Sequence, residues 1–204
     1  MYEILPLFEL PEEPFKNLLA DALRQLAERN LFVGASSWKY EGWLGSIYSP
    51  QRYSARGRFS RKRFESECLR EYAEVFRIVS GDFAFYRFPT VEFWRSLFAQ
   101  TAPPFRFAFK APEDITAPAF PMHSRYGARA GQINPLFLRA EAFEREFLTP
   151  LQPYSDRVAL IMFEFPASAA NAFANVEQFA EAPSRFRLRR DRRRRRRTRA
   201  EERL

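Results

Sequence analysis

Cysteine is almost absent from the sequence. Cys68 stands alone among 204 residues, which excludes a disulfide framework and a thiolate zinc cluster. Histidine is equally scarce: His123, the only one, sits beside Met122 with no second His or Cys near it, so no metal site and no Ser-His-Asp triad can be built on it. Glycine is limited to 7 residues, and neither a glycine-rich phosphate loop nor a Gly-x-Ser-x-Gly elbow occurs. No run of about 18 apolar residues is available to span a membrane. The first six residues lack the basic and apolar regions of a signal peptide. The resulting expectation is a soluble, cytoplasmic protein with no membrane partner, and the sequence leaves any cofactor unknown.

What is abundant is phenylalanine, with 23 residues in a chain that is 46% apolar. Such a chain is too apolar to remain disordered, and its core should be rich in rings packed edge to face. The formal charge of +8 is unevenly placed. Residues 185–204 hold 12 arginines against Asp191, Glu201 and Glu202, while the remaining 184 residues carry 21 basic and 22 acidic side chains. The basic character belongs to the tail.

Apolar spacing orders the elements. Pro14–Asn30 has Phe15, Leu18, Leu19, Ala22, Leu23 and Leu26 at helical intervals. Leu31–Ser37 reads as a first strand, Phe64–Phe76 as a helix, Arg77–Tyr86 as a second strand and Thr90–Ala99 as a helix. Phe105–Lys110 reads as a third strand, 111–134 as a long loop, Leu136–Leu148 as a helix and Val158–Phe165 as a fourth strand. This alternation predicts a parallel sheet covered by helices. In the third strand Phe105, Phe107 and Phe109 share one face and Arg106, Ala108 and Lys110 the other. The ring-bearing faces should meet helices. The opposite faces bring Asp82, Lys110 and Glu164 toward the C-terminal strand ends, where barrel enzymes place their active sites.

Four segments carry a resemblance. Gly34-Ala-Ser-Ser-Trp38-Lys-Tyr40-Glu-Gly-Trp43 runs on through Tyr48 and Pro50. Val79 to Pro89 ends in Phe85-Tyr86-Arg87-Phe88-Pro89. Phe105 to Thr116 contains Lys110-Ala111-Pro112, and Leu160 to Pro166 ends Phe163-Glu164-Phe165-Pro166. In this order they resemble the landmarks of the YecE-like family, domain of unknown function 72. The resemblance implies an α/β fold, a TIM-like (β/α) barrel whose activity is not established. Ser80, Asp82 and Ala84 stand where many relatives have Glu, Asn and Thr, and Glu164 replaces a Gln. Nothing after Pro166 resembles the later strands, so the barrel reads as truncated after about four strands. The implied division is a helical extension over 1–30, a partial barrel over 31–170, and a basic, disordered or aberrant tail over 171–204. A shift of reading frame upstream of about residue 170 would account for the change in composition.

The candidate catalytic residues are Asp82, Lys110 and Glu164. A buried Lys between two carboxylates can act as proton donor, electrophile or Schiff-base amine, or the three can form a structural ion network. Trp38, Tyr40, Trp43, Tyr86 and Arg87 are the candidate substrate-binding residues. Rim aromatics can stack on a planar ligand or simply cap the core. The loop Arg52–Arg63 has six basic residues and no acid, which suits a phosphate or a solvated surface. Three functions remain open: a barrel that binds or converts a small polar molecule, a nucleic-acid-associated protein working through the tail, and a non-functional fragment.

Overall fold

In a computed structural model of the chain, residues 12–166 and 172–186 are described. The elements follow in the order α1 (Glu12–Glu28), β1 (Gly34–Ala35), β2 (Ser54–Ala55), β3 (Arg58–Phe59), α2 (Arg61–Val75), β4 (Ile78–Gly81), α3 (Val91–Phe98), β5 (Arg106–Lys110) and α4 (Glu113–Thr116). Next come α5 (Ala140–Phe143), a π-helical turn at Glu144–Leu148, α6 (Thr149–Leu151), β6 (Val158–Met162) and α7 (Val176–Arg185). The chain divides into two compact units. One comprises residues 1–111 and 151–163, the other 112–150 and 164–204.

The first unit contains a four-stranded parallel sheet in the order β1-β4-β5-β6. An α/β chain with parallel strands and covering helices is therefore what the alternation predicted. Phe107 and Phe109 of β5 are fully buried against α3. Phe98 meets Phe107 edge-on at 4.8 Å, and Trp94 meets Phe109 at 4.9 Å. Register places Ile78, Ser80, Arg106, Ala108, Lys110, Leu160 and Met162 on the opposite face. Ala159 is the extra residue of a bulge, because Phe107 pairs with Val158 while Ala108 pairs with Leu160.

Local chemistry fixes the helix ends. Asn30 adopts a left-handed conformation at φ 60°, and the Leu31 N–H closes back onto the Leu26 carbonyl at 2.9 Å, which terminates α1. The Ser60 hydroxyl caps α2 and the Thr90 hydroxyl caps α3, each accepting from the N–H three residues on. α2 buries Phe64, Cys68, Leu69, Tyr72 and Val75 on one stripe. At the other end of the sheet Arg157, 9% exposed, donates to the carbonyls of Phe98 (3.0 Å) and Phe105 (3.4 Å) and to the Thr101 hydroxyl. It ties the C-terminus of α3 to the start of β5 and β6, and burial lowers its pKa.

All four strands are shorter than the sequence reading, the first spanning Gly34–Ala35 against the expected Leu31–Ser37. The second strand stops at Gly81, and Asp82–Ala84 curls into a 3₁₀ turn. The reason lies at Gly81: a Cβ there would fall 1.8 Å from the Phe83 ring, so the missing side chain is what allows Phe83 to fold back. The fourth strand stops at Met162, short of Glu164. The basic loop also has more structure than expected. It contains a 3₁₀ turn over Pro50–Tyr53 and the antiparallel pair β2–β3.

In the second unit, Asn134 organises the long loop. Its side-chain amide donates to the carbonyls of Asp114 (2.8 Å) and Ala117 (2.7 Å), and its oxygen accepts from Leu136 N–H (2.9 Å). Tyr126 donates to buried Glu113, and Arg129 pairs with Asp114 at 2.8 Å. α7 falls within the stretch read as a tail. Asn175 caps it, and Phe179 packs on Phe165 and Phe173 at 5.1 and 5.5 Å. Residues 187–204, which hold most of the tail arginines, lie outside the described residues. Among the described residues, no helix is long and apolar enough to cross a membrane.

Candidate functional site

All four strands of the sheet are parallel, so their C-terminal ends lie along one edge. The residues that follow β1 and β4 converge there. Beside them is a cleft of about 640 Å³, open to solvent. It is walled by the segment Ser36–Tyr40, by Gly81–Phe83 and Tyr86, by faces of α2 and α3 that include Glu65 and Ser96, and by Gln100 just past α3.

The loop after β1 is held by an inward-facing carboxylate. Glu71 of α2 is 1% exposed. It accepts from Ser49 N–H (3.0 Å), Ser49 Oγ (2.7 Å), Tyr53 OH (2.7 Å) and Lys16 Nζ (3.1 Å). Burial alone would raise its pKa. The hydrogen bonds from Tyr53, Ser49 and Lys16 outweigh that and hold the carboxyl below its usual range. Tyr72 adds a second clamp: its hydroxyl accepts from Ala35 N–H (2.7 Å) and donates to the Ile78 carbonyl (3.0 Å), joining β1 to β4. Close approach is required there, since a Cβ on Gly34 would lie 2.0 Å from the Ile78 carbonyl oxygen. Tyr48 donates to the Trp38 carbonyl, which fixes the strand-to-cleft turn.

Within the cleft, Trp38 is buried and packs edge-on against Phe83 at 5.2 Å. Its indole Nε1–H has no hydrogen-bond partner among the described residues. A buried indole N–H ordinarily finds an acceptor, so this one carries an unmet donor. Tyr40 and Tyr86 are exposed at 39% and 49%, and the Tyr40 hydroxyl lies 3.1 Å from Ser36 Oγ. Asp82 lines the cleft and pairs with Lys110 Nζ at 3.0 Å. Lys110 also lies over the Phe85 ring at 5.6 Å.

The structure thus brings together Asp82 and Lys110 as an ion pair, and Trp38, Tyr40, Asp82 and Tyr86 around one cleft. Trp43 instead stacks on Phe76 at 5.7 Å and meets Tyr40 at a tilt at 4.8 Å. Arg87 is exposed, and Glu164, also exposed, falls past the end of β6 in the second unit. The contributions of α2 and α3 were not foreseen, because Glu65 and Ser96 read as ordinary solvated helix positions. Cys68 is fully buried and its thiol is pushed up to about 12, chiefly by burial, which leaves it a packing residue. His123 is exposed and its Nδ1 accepts from Arg125 N–H. The basic loop is partly neutralised by neighbours: Arg52 pairs with Glu74 (2.9 Å), Arg61 with Glu41 (2.7 Å) and Arg63 with Glu67 (3.2 Å). Among the described residues, no group of three or more His, Cys, Asp or Glu side chains is placed to hold a metal ion.

The model of one family, described as a protein of unknown function, DUF72, matches residues 32–196. No curated protein and no solved structure matches the chain.

Proposed function

The chain belongs to the DUF72 family, and from that premise we propose that its sheet is half of a (β/α) barrel whose C-terminal mouth binds a small, polar, ring-bearing molecule. The observation that carries the reading is the cleft itself. It lies beyond the C-terminal ends of parallel strands, where α/β sheets bind ligands, and its volume falls in the range of small-molecule sites. Its chemistry narrows the ligand class. Trp38, Tyr40 and Tyr86 offer ring faces, and Asp82 offers an acceptor. Lys39 on one wall is offset by Glu65 and Asp82, so the cleft does not favour a polyanion. A neutral sugar or nucleoside fits this balance better than a phosphate ester.

Conversion of such a ligand would run through the Asp82–Lys110 pair, with Asp82 at the cleft and Lys110 holding its charge. The 12 arginines of residues 185–204 support a second reading, nucleic-acid binding through the tail.

Saturation-transfer NMR with a panel of monosaccharides and nucleosides tests the first reading. A binder should appear, and Trp38→Phe, Asp82→Asn or Tyr86→Ala should each weaken it by about tenfold. No binder in the panel, or one indifferent to all three changes, overturns it. The tail reading is tested by measuring nucleic-acid affinity against salt with and without residues 185–204, where equal affinity refutes it.

A further inference from the structure

The β2–β3 ribbon and the first turn of α2 carry a charge pattern that the cleft does not use. Residues 52–63 hold six cations and no acid. Three of the six have carboxylate partners: Glu74 for Arg52, Glu41 for Arg61 and Glu67 for Arg63. Arg56, Arg58 and Lys62 are exposed and have no carboxylate partner among the described residues. Arg56 and Gly57 form the ribbon's turn, at φ 52° and 74°, the paired left-handed residues of a tight hairpin. The tip is therefore charged rather than apolar. Register sets Arg58 opposite Ala55 and Phe59 opposite Ser54, so Arg58 and Phe59 look to different faces of the ribbon. Phe59 is 42% exposed, with the Phe64 ring behind it at 5.8 Å. The first turn of α2 adds Arg61, Lys62 and Arg63 and no acid, although acids are the side chains that stabilise that end of a helix.

We propose that this ribbon and helix start bind single-stranded nucleic acid. A flexible run of phosphates can follow the cations from the tip at Arg56 to Lys62, and a base can stack on the open side of Phe59. Surfaces that hold single strands without reading their sequence combine these same two elements, cations for the backbone and a ring for a base. An acidic lipid surface would also attract the cations, but membrane docking gains from apolar side chains that insert. Here the leading residue is an arginine, and Phe59 sits on the flank of the ribbon against Phe64. The surface is separate in sequence from the arginines of residues 185–204.

Fluorescence anisotropy of the full chain with a short labelled oligothymidylate tests this. R56A/R58A/K62A should weaken binding by about tenfold or more. It should also reduce the slope of log affinity against log salt by about 2, as expected for three lost phosphate contacts on a single strand. All three positions are exposed, so the urea midpoint should not move. F59L keeps an apolar side chain on Phe64 but removes the ring, and should weaken binding by about fivefold or more, whereas F59Y should retain it. Ultraviolet cross-linking of a bromouracil oligonucleotide, followed by peptide mapping, should mark Phe59 and so separates this surface from the tail. Absence of binding at low salt overturns the proposal, as does a triple variant or F59L that binds like wild type. Cross-links confined to residues 185–204, or tighter binding to phosphatidylserine vesicles than to the oligonucleotide, overturn it equally.

Discussion

Removing the Glu71 carboxylate should loosen the whole loop that carries Trp38 and Tyr40. The side chain is 1% exposed and receives four donors from three residues at 2.7–3.1 Å. Glu71→Ala strands those donors in a buried site, a change that costs about 3–5 kcal/mol. Glu71→Gln keeps the shape but loses the charge and turns an amide toward donors, for about 1.5–3 kcal/mol. With a urea dependence of about 2 kcal/mol per molar, the Ala variant should unfold at about 1.5–2.5 M lower urea. All three tryptophans lie in the same compact unit as Glu71, so their fluorescence reports the relevant transition. The pH dependence has a definite sign. The folded pKa is depressed, so the contribution is present above the unfolded value of about 4.3 and is lost as pH falls through the lower folded value. The gap between wild type and Glu71→Gln should therefore be full at neutral pH and narrow in acid. An Ala variant within about 0.3 M of wild type, or a gap that does not narrow, would refute the assigned role.

Tyr72→Phe removes the hydroxyl between Ala35 N–H and the Ile78 carbonyl and should cost about 1.5–3 kcal/mol in the same urea assay, because both backbone groups lose a partner. Hydrogen exchange at Ala35 N–H should speed up accordingly, and unchanged protection would contradict the bridge. Arg157→Met should lower stability by about 2–4 kcal/mol, since the guanidinium is the donor to the carbonyls of Phe98 and Phe105. A thermal midpoint within a degree or so of wild type would show that these contacts contribute little.

The order of strands and helices was legible because the residues alternate strongly. Phe105, Phe107 and Phe109 name a face, and the buried rings meet α3 as that face requires. Strand ends were not legible, because apolar alternation continues through Phe83 and Phe85 although the backbone has already turned after Gly81. Period-two patterning reports facing, not hydrogen bonding, and a 3₁₀ turn leaves it intact. The proximity of Asp82 and Lys110 followed from the neighbouring order of the two strands, although Asp82 itself lies in the turn after β4. Glu71 gave no signal at all. An acid on an amphipathic helix looks solvated until the Ser49–Tyr53 segment folds over it.

Lys16, in α1, contacts both Glu71 and Glu74, at 3.1 and 2.8 Å. It lies sixteen residues upstream of the first family-matched position, residue 32. A protein trimmed to the matched region would therefore lose the cation opposite its most enclosed anion, along with the cover that Ala20 and Leu23 provide. The boundary drawn by family membership is thus not a boundary of physical independence: the leading helix is a structural cofactor of the fold it precedes.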